Sequence, residues 1–284
     1  MRPNMGGSED PPLQVYLYLM PFVENLGVKI YWDEVGAGEP VLLIMGLGWA
    51  SPMWYRTRPL LAERWRTIAF DNRGVGRSDV PAGPYSIAGM AADAAAVLDA
   101  AGIGSAHVVG MSMGGMIAQE FALAYPGRVR SLVLGCTACG GPESVQPDAE
   151  VVRVLMSVGG DPEVRARAMN PFNYDAGTPA ARIEEDLKVR LDWVPTVEGY
   201  TAQYLGIVAW EAYSRISGIA ARTLVIHGET DRLLPAANGK LIAGRIAGAR
   251  LVLVPRASHI FTTDQPEISH REMIGFLDAG SGAA

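Results

Sequence analysis

The sequence predicts an α/β protein with a mostly parallel central sheet flanked by helices and an inserted helical cap. Three observations support this fold class. Short apolar runs alternate with amphipathic stretches, as they do in βα units. Runs such as VLLIM and TLVIH are continuously apolar, which is typical of parallel strands buried on both faces. One long segment between two such runs contains helical patterns but no convincing strand.

The predicted elements follow in chain order. Strands are expected at Lys29–Val35, Val41–Met45, Thr67–Asp71, His107–Met111, Val129–Gly135, Thr223–His227 and Arg250–Pro255. Helices are expected at Met53–Arg64, Ile87–Ala101, Gly114–Tyr125, Ala237–Ile246 and Glu267–Leu277. The dipeptide Pro126-Gly127 provides a stop signal for the third helix.

The long segment without strands divides the chain into parts. Residues 141–212 contain repeated prolines between helical patterns and are too long for a plain loop in a compact domain. We therefore expect a helical cap at 141–212 over a core formed by residues 22–140 and 213–284. Residues 1–21 are interpreted as an N-terminal extension, disordered and dispensable, with Met20 as an alternative start.

Composition limits the classes of function. The chain is 49% hydrophobic and 19% charged, which is ordinary for a globular protein with a sizeable core. Its net charge of −6 and the lack of a basic run argue against nucleic acid as a partner. No apolar stretch reaches the roughly 18 residues of a membrane span. We expect a cytoplasmic protein without a membrane partner, and a homodimer remains open.

The sequence contains two cysteines, Cys136 and Cys139, in a C-x-x-C pattern. A redox role would need a thioredoxin-like context, and a structural zinc site would need two further ligands nearby. Neither is present, so both cysteines are interpreted as buried and reduced. No metal and no organic cofactor is expected.

The clearest chemical motif is Gly110-Met111-Ser112-Met113-Gly114, between an apolar strand and a helix. A G-x-S-x-G sequence in this position forms a sharp turn that exposes the serine hydroxyl above the sheet. Because the turn is tight, glycine is required on each side of the serine. The motif predicts that Ser112 is a nucleophile.

A serine nucleophile needs a base held by a third group, and after such an elbow an acid and then a histidine follow in the chain. Asp231 follows the strand TLVIH, and His259 follows the strand RLVLVP. Both lie where open α/β sheets place their ligand crevice. The sequence therefore predicts a catalytic triad of Ser112, Asp231 and His259.

Several other residues compete for these two roles. His107 begins a strand at the opposite end of the sheet, His227 lies in a buried strand, and His270 is expected to be solvated on the last helix. Glu229 is the main rival of Asp231, which is favoured because it lies further into the loop.

Acyl transfer also requires backbone N–H groups directed at the developing oxyanion. One donor is the residue after the nucleophile, Met113, and the other comes from the loop Met45-Gly46-Leu47-Gly48. Leu47 is the candidate for this second donor. The alternative is that the loop is only a flexible turn.

With these motifs, the chain resembles the α/β-hydrolase superfamily, in the branch of enol-lactonases, methylesterases and meta-cleavage C–C hydrolases. The resemblance covers about Phe22 to Leu277 and is carried by PVLLIMGLG, FDNRGVGRSD, VVGMSMGGMIAQEFALAYPGRV, HGETDRLLP and SHIFTTDQPE. It implies the same triad and oxyanion donors, with Asp71 and Arg73 supporting a nearby turn. Relatives often have histidine-glycine where this chain has Met45-Gly46.

The predicted activity is serine-dependent hydrolysis of small to medium apolar carboxylic esters. A lactonase or C–C bond hydrolase would use the same triad, and a ligand-binding receptor with this fold is the non-enzymatic alternative. Aromatic and apolar residues of the cap are the candidates for substrate contact: Met156, Trp193, Tyr204 and Trp210.

Overall fold

A computed structural model describes residues 21–157 and 159–279. Eight strands form one sheet: β1 (Phe22–Asn25), β2 (Val28–Val35), β3 (Pro40–Ile44), β4 (Arg66–Phe70), β5 (Ala106–Met111), β6 (Val129–Gly135), β7 (Arg222–Gly228) and β8 (Arg250–Val254). Their order is β1-β2-β4-β3-β5-β6-β7-β8, and β4, β3, β5, β6, β7 and β8 are parallel. The predicted fold class is thus confirmed.

Helices cover both faces of the sheet. The flanking helices are α1 (Arg58–Ala62), α2 (Ile87–Ala100), α3 (Met113–Ala124), α9 (Ala237–Arg245), α10 (Phe261–Asp264) and α11 (Pro266–Asp278). Side chains alternate along β3, so Leu42 and Ile44 pack on the α2 and α3 side while Val41 and Leu43 pack on the α11 side. Each face therefore has its own apolar core.

The long segment between β6 and β7 is helical. It contains α4 (Ala149–Leu155), α5 (Pro162–Ala168), α6 (Asn170–Asn173), α7 (Ala180–Asp192) and α8 (Val197–Ala209). We call residues 141–212 the helical insertion. Helix α8 packs tightly against the core, because a Cβ on Gly199 would lie 2.1 Å from the carbonyl oxygen of Gly74.

Two local expectations need correction. The single helix expected at Met53–Arg64 is a 3-10 helix at Ser51–Arg56 followed by the short α1. Pro59 explains the break, because its ring cannot continue a helix from the preceding turn. The short edge strand β1 lies outside the predicted strands and pairs antiparallel with β2.

The remaining structural expectations concern the chain end and membranes. Of the N-terminal extension proposed at residues 1–21, residues 1–20 lie outside the described residues. Across the described residues, no helix combines the length and the apolar character that crossing a bilayer requires.

Candidate active site

Ser112 lies at the turn between β5 and α3, with φ 56° and ψ −120°. A positive φ is unfavourable for a residue with a side chain, so the surrounding structure must hold this conformation. A Cβ on Gly110 would lie 2.2 Å from the carbonyl oxygen of Gly114, and a Cβ on Gly114 would lie 2.1 Å from that of Ile44. The two flanking glycines therefore allow strand and helix to meet at the serine.

Asp231 and His259 follow β7 and β8 and meet at the carboxyl edge of the sheet. The Nδ1 nitrogen of His259 donates a hydrogen bond of 2.8 Å to Oδ2 of Asp231. The backbone N–H groups of Leu233 and Leu234 donate to Oδ1 at 2.8 and 2.9 Å. Both carboxylate oxygens are occupied, so the orientation of Asp231 toward the imidazole is well defined.

Burial alone would raise the pKa of Asp231. The charge of His259 and the hydrogen bonds from His227 and His259 outweigh burial and hold the pKa of this carboxyl below its ordinary value. Asp231 is therefore ionised at neutral pH. An ionised acid keeps the proton of His259 on Nδ1, which leaves Nε2 as the acceptor that a neighbouring hydroxyl needs.

Ser112 and His259 line the same cavity, whose volume is about 370 Å³. In the described part of the chain, no hydrogen bond joins Ser112 Oγ to the imidazole of His259, whose Nδ1 is held by Asp231. Hydrogen bonds between a nucleophile and its base often tighten only in the substrate complex. The arrangement brings the three predicted residues together at one site.

The two candidate oxyanion donors also line this cavity. Leu47 follows β3, and Met113 is the first residue of α3. Over the described ranges, neither backbone N–H donates a hydrogen bond to another protein group. A Cβ on Gly46 would lie 3.0 Å from Cβ of Ser112, so the Leu47 loop lies directly against the serine. Met113 lies at the start of α3, where a free N–H group suits a developing negative charge.

The helical insertion forms much of the cavity wall. Tyr204 and Trp210, both predicted substrate contacts, are among the lining residues. The structure does not place Met156 or Trp193 there: Met156 is 47% exposed, and the ring of Trp193 stacks with the guanidinium of Arg77 at 4.6 Å. Met156 and Trp193 are large apolar or aromatic residues of the insertion, as Tyr204 and Trp210 are. Only the packing of the insertion decides which of these side chains reach the cavity.

Two arginines in the cavity wall were not anticipated. Arg190 places its guanidinium 5.0 Å from the ring centre of Trp49, and Arg165 lies 4.2 Å from the ring centre of Tyr200. Nη1 of Arg190 is buried without a hydrogen-bond partner among the described residues, and burial lowers the pKa of this guanidinium. Sequence reasoning missed both because arginine on an amphipathic helix normally faces solvent.

The competing residues occupy other environments. His107 is buried at the start of β5 and bonds Ser131, whereas Glu229 is exposed. The expectation that His270 is solvated is wrong, because it is buried with Nε2 3.1 Å from Oγ1 of Thr57. The last helix turns this residue toward the turn before α1 rather than toward water.

Asp264 joins the His259 loop to the helical insertion. Its Oδ2 accepts hydrogen bonds from the backbone N–H of Ser258 at 2.6 Å and of Asp175 at 3.2 Å. Its Oδ1 accepts one from the hydroxyl of Thr178 at 2.5 Å. Burial is the main reason that the pKa of Asp264 is raised to about 6. The insertion is thus hydrogen-bonded to the loop that carries the candidate base.

The segment after β4 is hydrogen-bonded to the oxyanion loop, because Nδ2 of Asn72 donates to the carbonyl oxygen of Met45 at 2.9 Å. Asp71 is fully buried and accepts hydrogen bonds from the backbone of Ser51 at 2.7 Å and from Nε of Arg77 at 2.8 Å. Arg73 forms a two-point ion pair with Asp93 at 2.6 and 2.7 Å. These contacts agree with the supporting role that the resemblance implies for Asp71 and Arg73.

Cys136 and Cys139 are free and buried. Ligand atoms of Cys136, Asp231 and His259 lie within 4.8 Å of one another, close enough to be considered as a metal site. Burial raises the pKa of the Cys136 thiol well above its ordinary value. A protonated thiol is a poor metal ligand, and the other two groups already bind each other.

Comparisons with known proteins agree with this fold. A family model described as the alpha/beta hydrolase fold matches residues 39–266. RutD of Azorhizobium caulinodans, named as a carbamate hydrolase, is 33% identical over 261 residues, covering 90% of this chain and 98% of its own. A 2-hydroxy-6-oxononadienedioate hydrolase of Burkholderia vietnamiensis is 31% identical, and the match covers 92% of this chain and 94% of that protein. The crystal structure of an enol-lactonase from Burkholderia xenovorans superposes with a TM-score of 0.81 at 26% identity, covering 91% of this chain and 100% of that one.

Proposed function

This chain belongs to the α/β-hydrolase family, and from that premise we propose that it cleaves carboxylic esters through an acyl-enzyme on Ser112. One observation carries the proposal. Ser112, on a strained turn, and His259, bonded at 2.8 Å to a buried Asp231, open onto the same cavity. This is the arrangement that activates a weak hydroxyl nucleophile.

The proposed reaction has two stages. Oγ of Ser112 attacks the ester carbonyl while Nε2 of His259 takes its proton, and the N–H groups of Leu47 and Met113 bind the oxyanion. The alcohol leaves with the proton from His259. Water then attacks the acyl-serine by the same route, and the acid product is released. Asp231 keeps the imidazole oriented throughout.

A second candidate concerns the charge of the substrate. Among the described residues, Nη1 of Arg190 is buried at the cavity wall without a hydrogen-bond partner, while the same guanidinium also interacts with Tyr174. An unpaired buried N–H is costly unless something occupies it, and a guanidinium pairs best with a carboxylate. This supports a substrate that carries a carboxylate, and lactone or C–C bond hydrolysis by the same triad is the alternative reaction. One relative is named for a dioate substrate.

The first experiment tests the nucleophile. A fluorophosphonate probe should label the wild-type protein and fail to label Ser112→Ala, and hydrolysis of nitrophenyl butyrate should fall to residual levels in this variant. Near-normal hydrolysis by folded Ser112→Ala would contradict the proposal. A protein that binds esters but is never labelled would indicate a receptor instead.

The second experiment separates the substrate classes. Nitrophenyl butyrate is compared with the mono-nitrophenyl ester of succinic acid, and a panel of lactones and vinylogous diketones is added. If Arg190 binds a carboxylate, Arg190→Met should lower kcat/KM for the succinate ester by 10- to 100-fold, since a charged hydrogen bond contributes about 1.5–3 kcal/mol. The neutral ester should be nearly unaffected. Arg271→Met, at an exposed arginine on α11, is the control.

A further inference from the structure

A second histidine contacts the acid of the candidate triad. His227, near the end of β7, is completely buried. Its Nε2 lies 2.7 Å from the carbonyl oxygen of Leu234 and 3.3 Å from Oδ2 of Asp231. Oδ2 is the same oxygen that accepts the hydrogen bond from His259. Asp231 therefore lies between two imidazoles, of which only His259 lines the cavity.

The partners of His227 show where its proton lies. A carbonyl oxygen can only accept, so Nε2 of His227 must donate to Leu234. Nδ1 is buried and has no partner among the residues that the structure describes. A proton on Nδ1 would be a buried unpaired donor, which is unfavourable. The proton on Nε2 of His227 is therefore directed at Leu234 and Asp231.

The neighbouring helix is shaped to hold this ring. Gly239 lies in α9, where glycine is less favourable than alanine. A Cβ at this position would lie 2.8 Å from Nδ1 of His227 and 3.2 Å from two further atoms of its side chain. Glycine at 239 thus leaves the space that the imidazole occupies. The ring position is set by the helix as well as by its hydrogen bond.

We propose that His227 is a positioning residue for Asp231. Its hydrogen bond to Leu234 closes the turn from β7, so that the N–H groups of Leu233 and Leu234 face Oδ1 of Asp231. With Oδ1 held, Oδ2 is left facing Nδ1 of His259. His227 acts through Asp231 and touches no substrate. This inference rests on the proposed function, because positioning matters only if His259 is the base.

The test compares two replacements of the same ring. His227→Phe keeps a flat ring but has no donor, whereas His227→Gln keeps a donor at similar reach. Because misplacement of catalytic groups by about 1 Å can cost about 100-fold, we expect kcat of His227→Phe to fall 10- to 100-fold. KM for nitrophenyl butyrate should stay within about two-fold, since the cavity is unchanged. His227→Gln should recover most of the loss.

Turnover is expressed per active site, counted by fluorophosphonate labelling, so that unfolded protein does not contribute. His270→Phe is the matched control, because His270 is also buried but contacts Thr57 away from the triad. Its kcat per labelled site should equal that of the wild type. A normal kcat in His227→Phe, or an equal loss in His227→Gln, would overturn the proposal.

A second variant tests the proposal in case His227→Phe folds poorly. Gly239→Ala presses a methyl group against Nδ1 and should lower kcat in the same direction without removing the ring; unchanged kcat there overturns the proposal as well. The variant Ser112→Ala distinguishes a failure of the proposed function from a failure of the positioning role. If it stays active, the proposed function fails; if it is inactive while His227→Phe is normal, only the positioning role fails.

Discussion

Replacing Asp264 with asparagine should remove one part of the pH dependence of stability. Burial raises the pKa of this carboxyl to about 6, above the value of about 3.9 expected in an unfolded chain. The folded state therefore holds the proton more tightly than the unfolded state. The resulting stabilisation is fully present below the unfolded pKa and is lost as the pH rises through about 6.

The magnitude follows from the two pKa values. Between pH 7 and pH 5, proton binding by folded Asp264 should add about 1.4 kcal/mol to the free energy of unfolding. The full difference, about 3 kcal/mol, is reached only below the unfolded pKa. Asp264 is 4% exposed, so screening by solvent reduces these values little. Asparagine does not titrate and should show none of this increment.

Urea unfolding of the wild type and Asp264→Asn at pH 5, 6 and 7 measures the effect. The other carboxyl groups are common to both proteins and cancel in the difference. Asp99→Asn is the control, because the Asp99 side chain is 67% exposed. A difference between wild type and Asp264→Asn that stays the same from pH 5 to pH 7 would refute the reasoning.

Two further predictions concern the turn at Ser112 and the candidate acid Asp231. Asp231→Asn should lower kcat by about 10⁴-fold, as the same exchange does in serine proteases, because the amide favours the wrong tautomer of His259; wild-type turnover of nitrophenyl esters would contradict this. Gly114→Ala should lower the free energy of unfolding by about 3 kcal/mol or more, since its Cβ would meet the backbone oxygen of Ile44 at 2.1 Å. Gly104→Ala, where a Cβ meets nothing within 4 Å, should leave urea unfolding nearly unchanged.

Local patterns were sufficient for much of the fold and for the candidate triad. Continuous apolar runs mark the parallel strands, and these lie within two residues of the predicted bounds. The glycines around Ser112 mark the turn, because a tight strand-to-helix junction excludes side chains whatever the rest of the chain does. Asp231 and His259 could be named because the carboxyl ends of parallel strands meet at one edge of the sheet. The first two inferences depend on backbone geometry over a few residues, and the third depends on the parallel order of the strands.

Other features depend on which surfaces meet in three dimensions. Met156 and Tyr204 both belong to partly apolar helical stretches of the insertion, yet of the two Tyr204 alone lines the cavity, since the packing of the insertion determines which side chains face inward. Arg190 is one arginine among many in the sequence, and its unpaired N–H exists only because folding buries it. His227 was set aside as a core residue, whereas the turn of the chain after β7 brings Leu234 and Asp231 to its ring. Local sequence determines the elements and their turns, but long-range packing decides which polar groups are buried together, and those contacts define the chemistry of the site.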